Sequence, residues 1–194
     1  MTDGSTGPGP GTRPLLTRTE IAACVERMAG EIAADHPDGV VLVGVLKGAS
    51  IFLADLVRAM CDVDVEVAFI GISRYAPNSG RVRILYDVDL DLTGRDVVLV
   101  EDIVDTGLTV GYLVQHLERQ GPRRVEVCTL LDRPARRILP VEVRYVGAEI
   151  PDVFVLGYGL HRADLYRNVP RVVVADRDVV RTTPDAYVRA LYAS

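Results

Sequence analysis

The sequence predicts an α/β protein built on a mostly parallel sheet of about five strands flanked by helices. Three observations predict it. Short, continuous apolar runs at 40–45 (VVLVGV) and 97–100 have the pattern of strands covered on both faces. Stretches of helical period separate these runs, and strand–helix alternation is the signature of a parallel sheet. Acidic and turn-forming residues gather at 101–109 (EDIVDTGLT), after a strand and before a helix, where open α/β sheets bind ligands.

Taken in order, residues 1–14 (MTDGSTGPGPGTRP) have almost nothing to bury and predict a disordered tail ahead of a single domain over 15–194. Thr17 and Glu20 fit a capping box that opens a helix to about residue 35. After the strand at 40–45, Gly48 begins a helical stretch to about residue 60. Residues 65–70 alternate and read as a strand, 73–81 (SRYAPNSGR) as a polar loop, and 82–86 as a strand returning from it, so that the pair makes a hairpin arm. The strand at 97–100 is followed by a helix over 109–120 and a strand over 125–131. Shorter strands are predicted at 143–146, 154–156 and 172–174. Thr183, Pro184 and Asp185 predict a final helix with Thr183 as its N-cap.

Composition narrows the class of function. Hydrophobic residues make up 48% of the 194, ample for a core, and no run is long enough to span a membrane. The start has no charged-then-apolar signal pattern, and a net charge of −5 gives no general nucleic-acid footprint. Cys24, Cys61 and Cys128 are odd in number and sit in apolar neighbourhoods, which predicts buried free thiols in a reducing cytosol. Lys47 is the only lysine among 22 basic residues.

Packing alone does not put Glu101, Asp102 and Asp105 at the end of a buried strand. Thr106, Gly107, Leu108 and Thr109 would turn backbone N–H groups toward a helix N-terminus, a ready phosphate cradle to which the two threonine hydroxyls add donors. Gly107 lets the backbone approach an oxygen closely. Carboxylates repel phosphate, so Glu101 and Asp102 must face a metal ion or sugar hydroxyls. A ligand carrying a phosphate, a hydroxylated sugar and Mg2+ satisfies all of these groups.

The stretch VVLVEDIVDTGLTV (97–110) resembles the phosphoribosyl-pyrophosphate (PRPP) motif of type I phosphoribosyltransferases. GVLKGASIFLADLVR (44–58) is similar to the pyrophosphate loop of the hypoxanthine-guanine branch, and SRYAPNSG (73–80) to its mobile catalytic loop. LLDRPARR (130–137) and VGAEIPDVFVLGYGLHRADLYRNVP (146–170) are similar to its base-binding hood, which would combine the N-terminal region with residues from about 133 to 170. The resemblance covers roughly 15–175 in consistent order and implies the type I phosphoribosyltransferase fold with a small hood and a mobile hairpin loop.

The roles that follow are those the resemblance implies. Glu101 and Asp102 hold the ribose hydroxyls and lie at the Mg2+ site; the loop Asp105, Thr106, Gly107, Leu108, Thr109 takes the 5′-phosphate. Asp105 is the candidate general base at N7 of the purine, a role that suits a carboxylate beside a ring nitrogen attacking the anomeric carbon; its plainer role would be to cap the next helix. Lys47 and Gly48 belong to the pyrophosphate loop, where the family's neighbouring peptide is often cis, and Arg167 would contact pyrophosphate. Ser73, Arg74 and Tyr75 belong to the lid that excludes water from an oxocarbenium-like centre. Phe154 would stack on the purine and the backbone of Val155 would read its edge.

Two positions depart from the family's pattern. Arg133 stands where a lysine usually donates to the 6-oxo group. Arginine still donates, so preference for a 6-oxo over a 6-amino base persists, but its planar fork is a different shape; pairing with Asp132 is its other reading. His161 stands where the family has an aspartate beside the base that supports a second Mg2+. Histidine is a poor partner for that hard ion and can donate to a ligand where a carboxylate only accepts; Asp164, three residues on, is a possible replacement.

The expected activity is transfer of the 5-phosphoribosyl group of PRPP to hypoxanthine or guanine with release of pyrophosphate, in a Mg2+-requiring cytoplasmic homodimer or homotetramer that binds neither nucleic acid nor membrane. Three alternatives stand beside it: a phosphoribosyltransferase for a modified purine such as a 7-deazapurine, one acting on a pyrimidine, and a non-catalytic nucleotide-sensing regulator on the same fold. A receiver-type signalling domain also clusters acids around Mg2+, but it would leave the threonine–glycine cradle and the hood segment without a role.

Overall fold

The computed structural model describes residues 14–73 and 83–192. They fall into two compact units, one from Ala22–Asp152 and one from the described parts of Met1–Ile21 and Val153–Ser194. Residues 133–152 group with the larger unit.

The larger unit is organised by a six-stranded sheet. Its strands are β2 (Val40–Leu46), β3 (Val65–Ser73), β4 (Arg83–Tyr86), β5 (Asp96–Val104), β6 (Arg124–Asp132) and β7 (Tyr145–Glu149), in the order β4-β3-β2-β5-β6-β7. All neighbours are parallel except β4, which returns antiparallel along β3. That pair is the base of the expected hairpin arm, whose tip at 74–82 lies outside the described residues. Alternation explains the apolar runs. Val41, Val43 and Val45 of β2 and Val97 and Leu99 of β5 share a core cluster with Val110, Leu113 and Leu117 of α3 (Leu108–Glu118). The intervening Val40, Leu42, Val98 and Val100 are just as buried, so both faces of the sheet are covered.

Helix α1 (Arg18–Asp35) opens on the capping box: Thr17 N–H donates to Glu20 Oε2 at 2.8 Å, and Glu20 N–H to Thr17 Oγ1 at 3.2 Å. Its buried positions Ile21, Val25, Met28, Ala29 and Ile32 follow the helical period. Helix α2 (Ser50–Ala59) begins two residues after Gly48 and buries Phe52, Leu53 and Leu56.

The smaller unit holds a three-stranded antiparallel sheet, β1 (Pro14–Leu16), β9 (Val172–Ala175) and β8 (Phe154–Leu156), in the order β1-β9-β8. Strand β1 lies in a segment whose polar start masks it. Tyr166, Val173, Val180, Tyr187 and Leu191 form its core with Leu156.

Three expectations are corrected. The helix expected to start at Thr183 begins only at Val188, as the short α5 (Val188–Tyr192), and a further short helix, α4 (Arg177–Thr182), precedes Thr183. Asp176 is the N-cap of α4, accepting from Asp178 N–H at 2.8 Å and Val179 N–H at 3.1 Å, while Thr183 is its C-cap. Strand β7 starts two residues later than expected and runs to Glu149, paired with β6 up to Asp132. All three cysteines are free thiols, but only Cys128 is buried: Cys24 is half-buried, and Cys61, just past the end of α2, is exposed. Among the described residues no helix is long and apolar enough to cross a membrane.

Candidate active site

Strand β5 continues past Val100, because Ile103 and Val104 still pair with Leu131 and Asp132 of β6. Glu101 and Asp102 therefore lie within the strand, at its carboxyl end, and are only 3% and 6% exposed. Ile103 N–H donates to Asp102 Oδ1 at 2.8 Å. Two acids buried side by side are expensive to desolvate, which packing gives no reason to tolerate. The loop after β2 comes up against them: a Cβ on Gly48 would land on the Asp102 carboxylate, so only glycine permits this approach. The Leu46–Lys47 peptide is cis, Lys47 is exposed, and its carbonyl accepts from Ser50 Oγ at 2.7 Å.

Beyond β5 the chain bends through Asp105 and Thr106 to Gly107, the N-cap of α3, at φ +80°. A Cβ there would strike the Leu139 carbonyl oxygen and come within 3.0 Å of Arg137 Cδ. The Thr106 carbonyl accepts from both Ile138 N–H and Leu139 N–H at 2.9 Å, which pins the loop to the segment after β6. Leu108 N–H lies 3.4 Å from Thr106 Oγ1. The first-turn amides of α3, from Leu108, Thr109 and Val110, lack intrahelical partners and carry the positive end of the helix dipole, an arrangement suited to an anion.

Arg133 is 4% exposed and does not pair with Asp132. Its Nε donates to Asp105 Oδ1 at 2.5 Å, and its Nη1 lies 3.8 Å from Asp152 Oδ1. Asp132 is instead paired with Arg137, whose Nε also donates to the Asp105 carbonyl at 3.0 Å. Arg136 Nε donates to Asp152 Oδ1 at 2.5 Å. The sequence reading missed Asp152, Arg136 and Arg137; the available signal was the arginine spacing around Pro134. Residues Pro134–Arg136 form a 3-10 turn, and the Arg136 N–H bonds to the Arg133 carbonyl at 3.2 Å. Such a turn stacks positions three apart, which brings Arg133 and Arg136 to the same acid.

The remaining expected residues lie in the smaller unit, apart from Ser73, which ends β3. Arg74 and Tyr75 lie outside the described residues. Phe154 is half-buried in β8, with the Arg177 guanidinium 5.8 Å from its ring centroid. Val155 is buried beside it, paired with Val174 of β9. Arg167 is engaged with its own loop: Nη2 lies 2.9 Å from Asp164 Oδ1, and Nη1 donates to the Gly159 carbonyl at 2.7 Å. His161 Nδ1 accepts from Asp164 N–H at 3.0 Å, so in the neutral ring the proton sits on Nε2. Tyr158, Ala163, Asp164 and Tyr166 all have positive φ in this loop, backbone strain of the kind that clusters at functional sites.

Comparison with known proteins identifies the family. A family model described as the phosphoribosyl transferase domain matches residues 14–163. The hypoxanthine-guanine phosphoribosyltransferase of Bacillus subtilis is 39% identical over 164 residues, covering 82% of this chain and 91% of that one. The enzyme of the same name from Mycobacterium avium is 40% identical over 179 residues, covering 87% and 88%. A crystal structure of a Bacillus anthracis hypoxanthine-guanine phosphoribosyltransferase superposes with a TM-score of 0.80 at 38% identity, covering 84% of this chain and 98% of that one. The hypoxanthine phosphoribosyltransferase of Trypanosoma cruzi in complex with the product IMP gives a TM-score of 0.82 at 38% identity, covering 88% and 97%. On the family model and these relatives, the chain belongs to the type I phosphoribosyltransferase family and, within it, to the hypoxanthine-guanine branch.

Proposed function

We propose that the chain transfers the 5-phosphoribosyl group of PRPP to a 6-oxopurine, hypoxanthine or guanine, giving the nucleoside 5′-monophosphate and pyrophosphate. The observation that carries this reading is the β5–α3 junction, where buried Glu101 and Asp102 adjoin a cradle opened by Gly107 at positive φ. The first-turn amides of α3, with Thr106 and Thr109, hold the 5′-phosphate. Glu101 and Asp102 accept from the ribose hydroxyls and so orient the anomeric carbon. Asp105 takes up or shares the proton of the base as its ring nitrogen bonds to that carbon. Arg133 donates to the 6-oxo group, and Phe154 and Val155 hold the ring and its edge. Lys47, Gly48 and Arg167 receive pyrophosphate, and the segment of Ser73, Arg74 and Tyr75 excludes water.

The donor set fits Mg2+, since Glu101 and Asp102 offer hard carboxylate oxygens of the kind that ion prefers. In this reading substrate oxygens complete the coordination, because Mg2+ is commonly held by one or two carboxylates together with substrate phosphates. When bound, Mg2+ neutralises charge on the pyrophosphate leaving group. We further propose a cytoplasmic homodimer or homotetramer, the compartment following from the phosphorylated substrates, which do not cross membranes unaided.

His161 supports a second reading, transfer to a modified 6-oxopurine such as a 7-deazapurine, because it presents a ring N–H where a carboxylate is expected. Pyrophosphate release from PRPP and Mg2+, with hypoxanthine, guanine, xanthine, adenine and a 7-deazapurine offered separately, tests both. Turnover with hypoxanthine or guanine supports salvage. Silence on those two with turnover of another base supports the second reading. Silence throughout, with PRPP still bound, supports a nucleotide-sensing regulator.

A further inference from the structure

Asp152 has no place in the roles set out above, yet it ends a line of alternating charges that leads to Asp105. Its Oδ1 is 2.5 Å from Arg136 Nε and 3.8 Å from Arg133 Nη1, and Arg133 Nε is 2.5 Å from Asp105 Oδ1. Three backbone bonds hold the line in place. Arg133 N–H donates to the Val104 carbonyl at 3.0 Å, which sets Arg133 beside the end of β5. Ile150 N–H donates to the Asp132 carbonyl at 2.7 Å, which brings the segment after β7, with Asp152, alongside. Arg136 N–H closes the 3-10 turn onto the Arg133 carbonyl. The Arg133 side chain is 5% exposed, so little water competes for its charge, whereas Asp105 and Asp152 are 36% and 49% exposed.

We propose that Asp152 is a positioning residue for phosphoribosyl transfer: through Arg133 it orients the guanidinium that grips Asp105. The proposal rests on the reading of Asp105 as the general base. The guanidinium presents Nε to Asp105 and Nη1 to Asp152, so the two acids fix the plane from which its other N–H groups donate to the 6-oxo group. A lysine ammonium has a single terminal nitrogen and cannot hold both acids in this way. Asp152 does two things to the grip. It stops the fork from rotating off the Asp105 carboxylate, and it divides the Arg133 charge between two acids. Arg136 in turn holds Asp152 toward Arg133. The arginine at a position where lysine is usual thus belongs to a unit that includes Asp152.

The test is steady-state kinetics with PRPP, Mg2+ and hypoxanthine on wild type, Asp152→Asn, Asp152→Glu, Arg133→Lys and the double variant Asp152→Asn/Arg133→Lys, with Asp105→Asn as reference. Asp152→Asn is expected to lower kcat about 3–10-fold, the size of one lost coupling between charged neighbours, with KM for PRPP unchanged because the phosphate cradle does not touch Asp152. Asp152→Glu should recover most of the loss. In the Arg133→Lys background, Asp152→Asn should add less than about twofold, because the bridge is already gone. An unchanged kcat in Asp152→Asn overturns the proposal, as does an equal loss in both backgrounds or a rise in KM for PRPP that accompanies the loss. If Asp105→Asn retains full kcat, the base assignment falls and the proposal falls with it. If Asp105→Asn is crippled while Asp152→Asn is not, only the role of Asp152 is refuted. A wild type inert toward every purine overturns both the activity and the proposal.

Discussion

Gly107→Ala separates two effects that one residue combines. Gly107 sits at φ +80°, and a Cβ there also meets the Leu139 carbonyl oxygen, with Arg137 Cδ at 3.0 Å. The conformational penalty for an L-residue in the left-handed region is about 1–2 kcal/mol. Relieving a collision with backbone rather than with a flexible side-chain tip adds about 1–3 kcal/mol, since either the N-terminus of α3 or the segment carrying Leu139 must move. The total of about 2–5 kcal/mol lies within the usual stability of a domain, so the variant folds but melts about 4–20 °C lower. Gly94 is the control. It has φ +70° with nothing within 4 Å of an added Cβ, so Gly94→Ala carries the conformational penalty alone, about 2–8 °C.

Kinetics divide the two variants further. Displacing the first-turn amides of α3 by about 1 Å is expected to cost about 100-fold in kcat/KM for PRPP, because the cradle no longer matches the phosphate oxygens. Gly94→Ala should leave that value alone. Thermal unfolding read beside PRPP saturation kinetics gives both numbers. Equal melting losses in the two variants, with normal PRPP kinetics in Gly107→Ala, would refute both the collision and the cradle.

Three further outcomes are expected. Asp105→Asn should lower kcat by about 100-fold or more with KM for PRPP nearly unchanged, checked by single-turnover and steady-state assays; a wild-type rate would remove Asp105 from the chemistry. At the opposite end of the sheet, Arg123 grips buried Asp96 with two bonds of 2.6 Å and holds its carboxyl well below the usual range, with His36 and Arg124 adding to the effect. The folded-state pKa is depressed, so this stabilisation is complete above the unfolded value of about 4 and is lost as pH falls toward the folded one. Asp96→Asn should destabilise by about 1–3 kcal/mol at neutral pH, the worth of hydrogen bonds to charged groups, and flatten the acid limb of a stability–pH profile from urea unfolding; a profile identical to wild type would contradict this. His161→Asp replaces a ring N–H donor with an acceptor, so kcat/KM for guanine relative to hypoxanthine should rise about fivefold, the worth of one hydrogen bond; a constant ratio would separate His161 from base choice.

Much of the arrangement was legible locally. The 97–110 stretch announced a strand, an acid cluster and a glycine turn into a helix, because burial, charge and turn chemistry are carried by neighbouring residues. The Thr17–Glu20 capping box formed as its spacing requires, since both partners lie within one turn of chain. Errors came where a plausible local signal lost to a longer-range one. Thr183 and Pro184 look like a helix start, yet Asp176 caps the real helix, and the Tyr166 hydroxyl holds the turn that follows by donating to the Pro184 carbonyl at 2.7 Å. Strand β1 was hidden by a polar start and exists because β9, far along the chain, offers an edge to pair with.

The sequence by itself determined the class of fold and the family, and it singled out the acid-and-glycine stretch at the end of β5, because those follow from periodicity and from motifs compact enough to read in place. The tertiary structure alone decided the partner of Arg133. Its adjacent acid, Asp132, is taken by Arg137, and the guanidinium reaches Asp105, 28 residues away. The physical reason is that parallel strands align distant residues at one end of the sheet: Val104 of β5 lies in register with Asp132 of β6, so the residue that follows each strand meets the other. A long charged side chain then selects among the acids brought within reach, and that choice depends on strand register, which no local pattern contains.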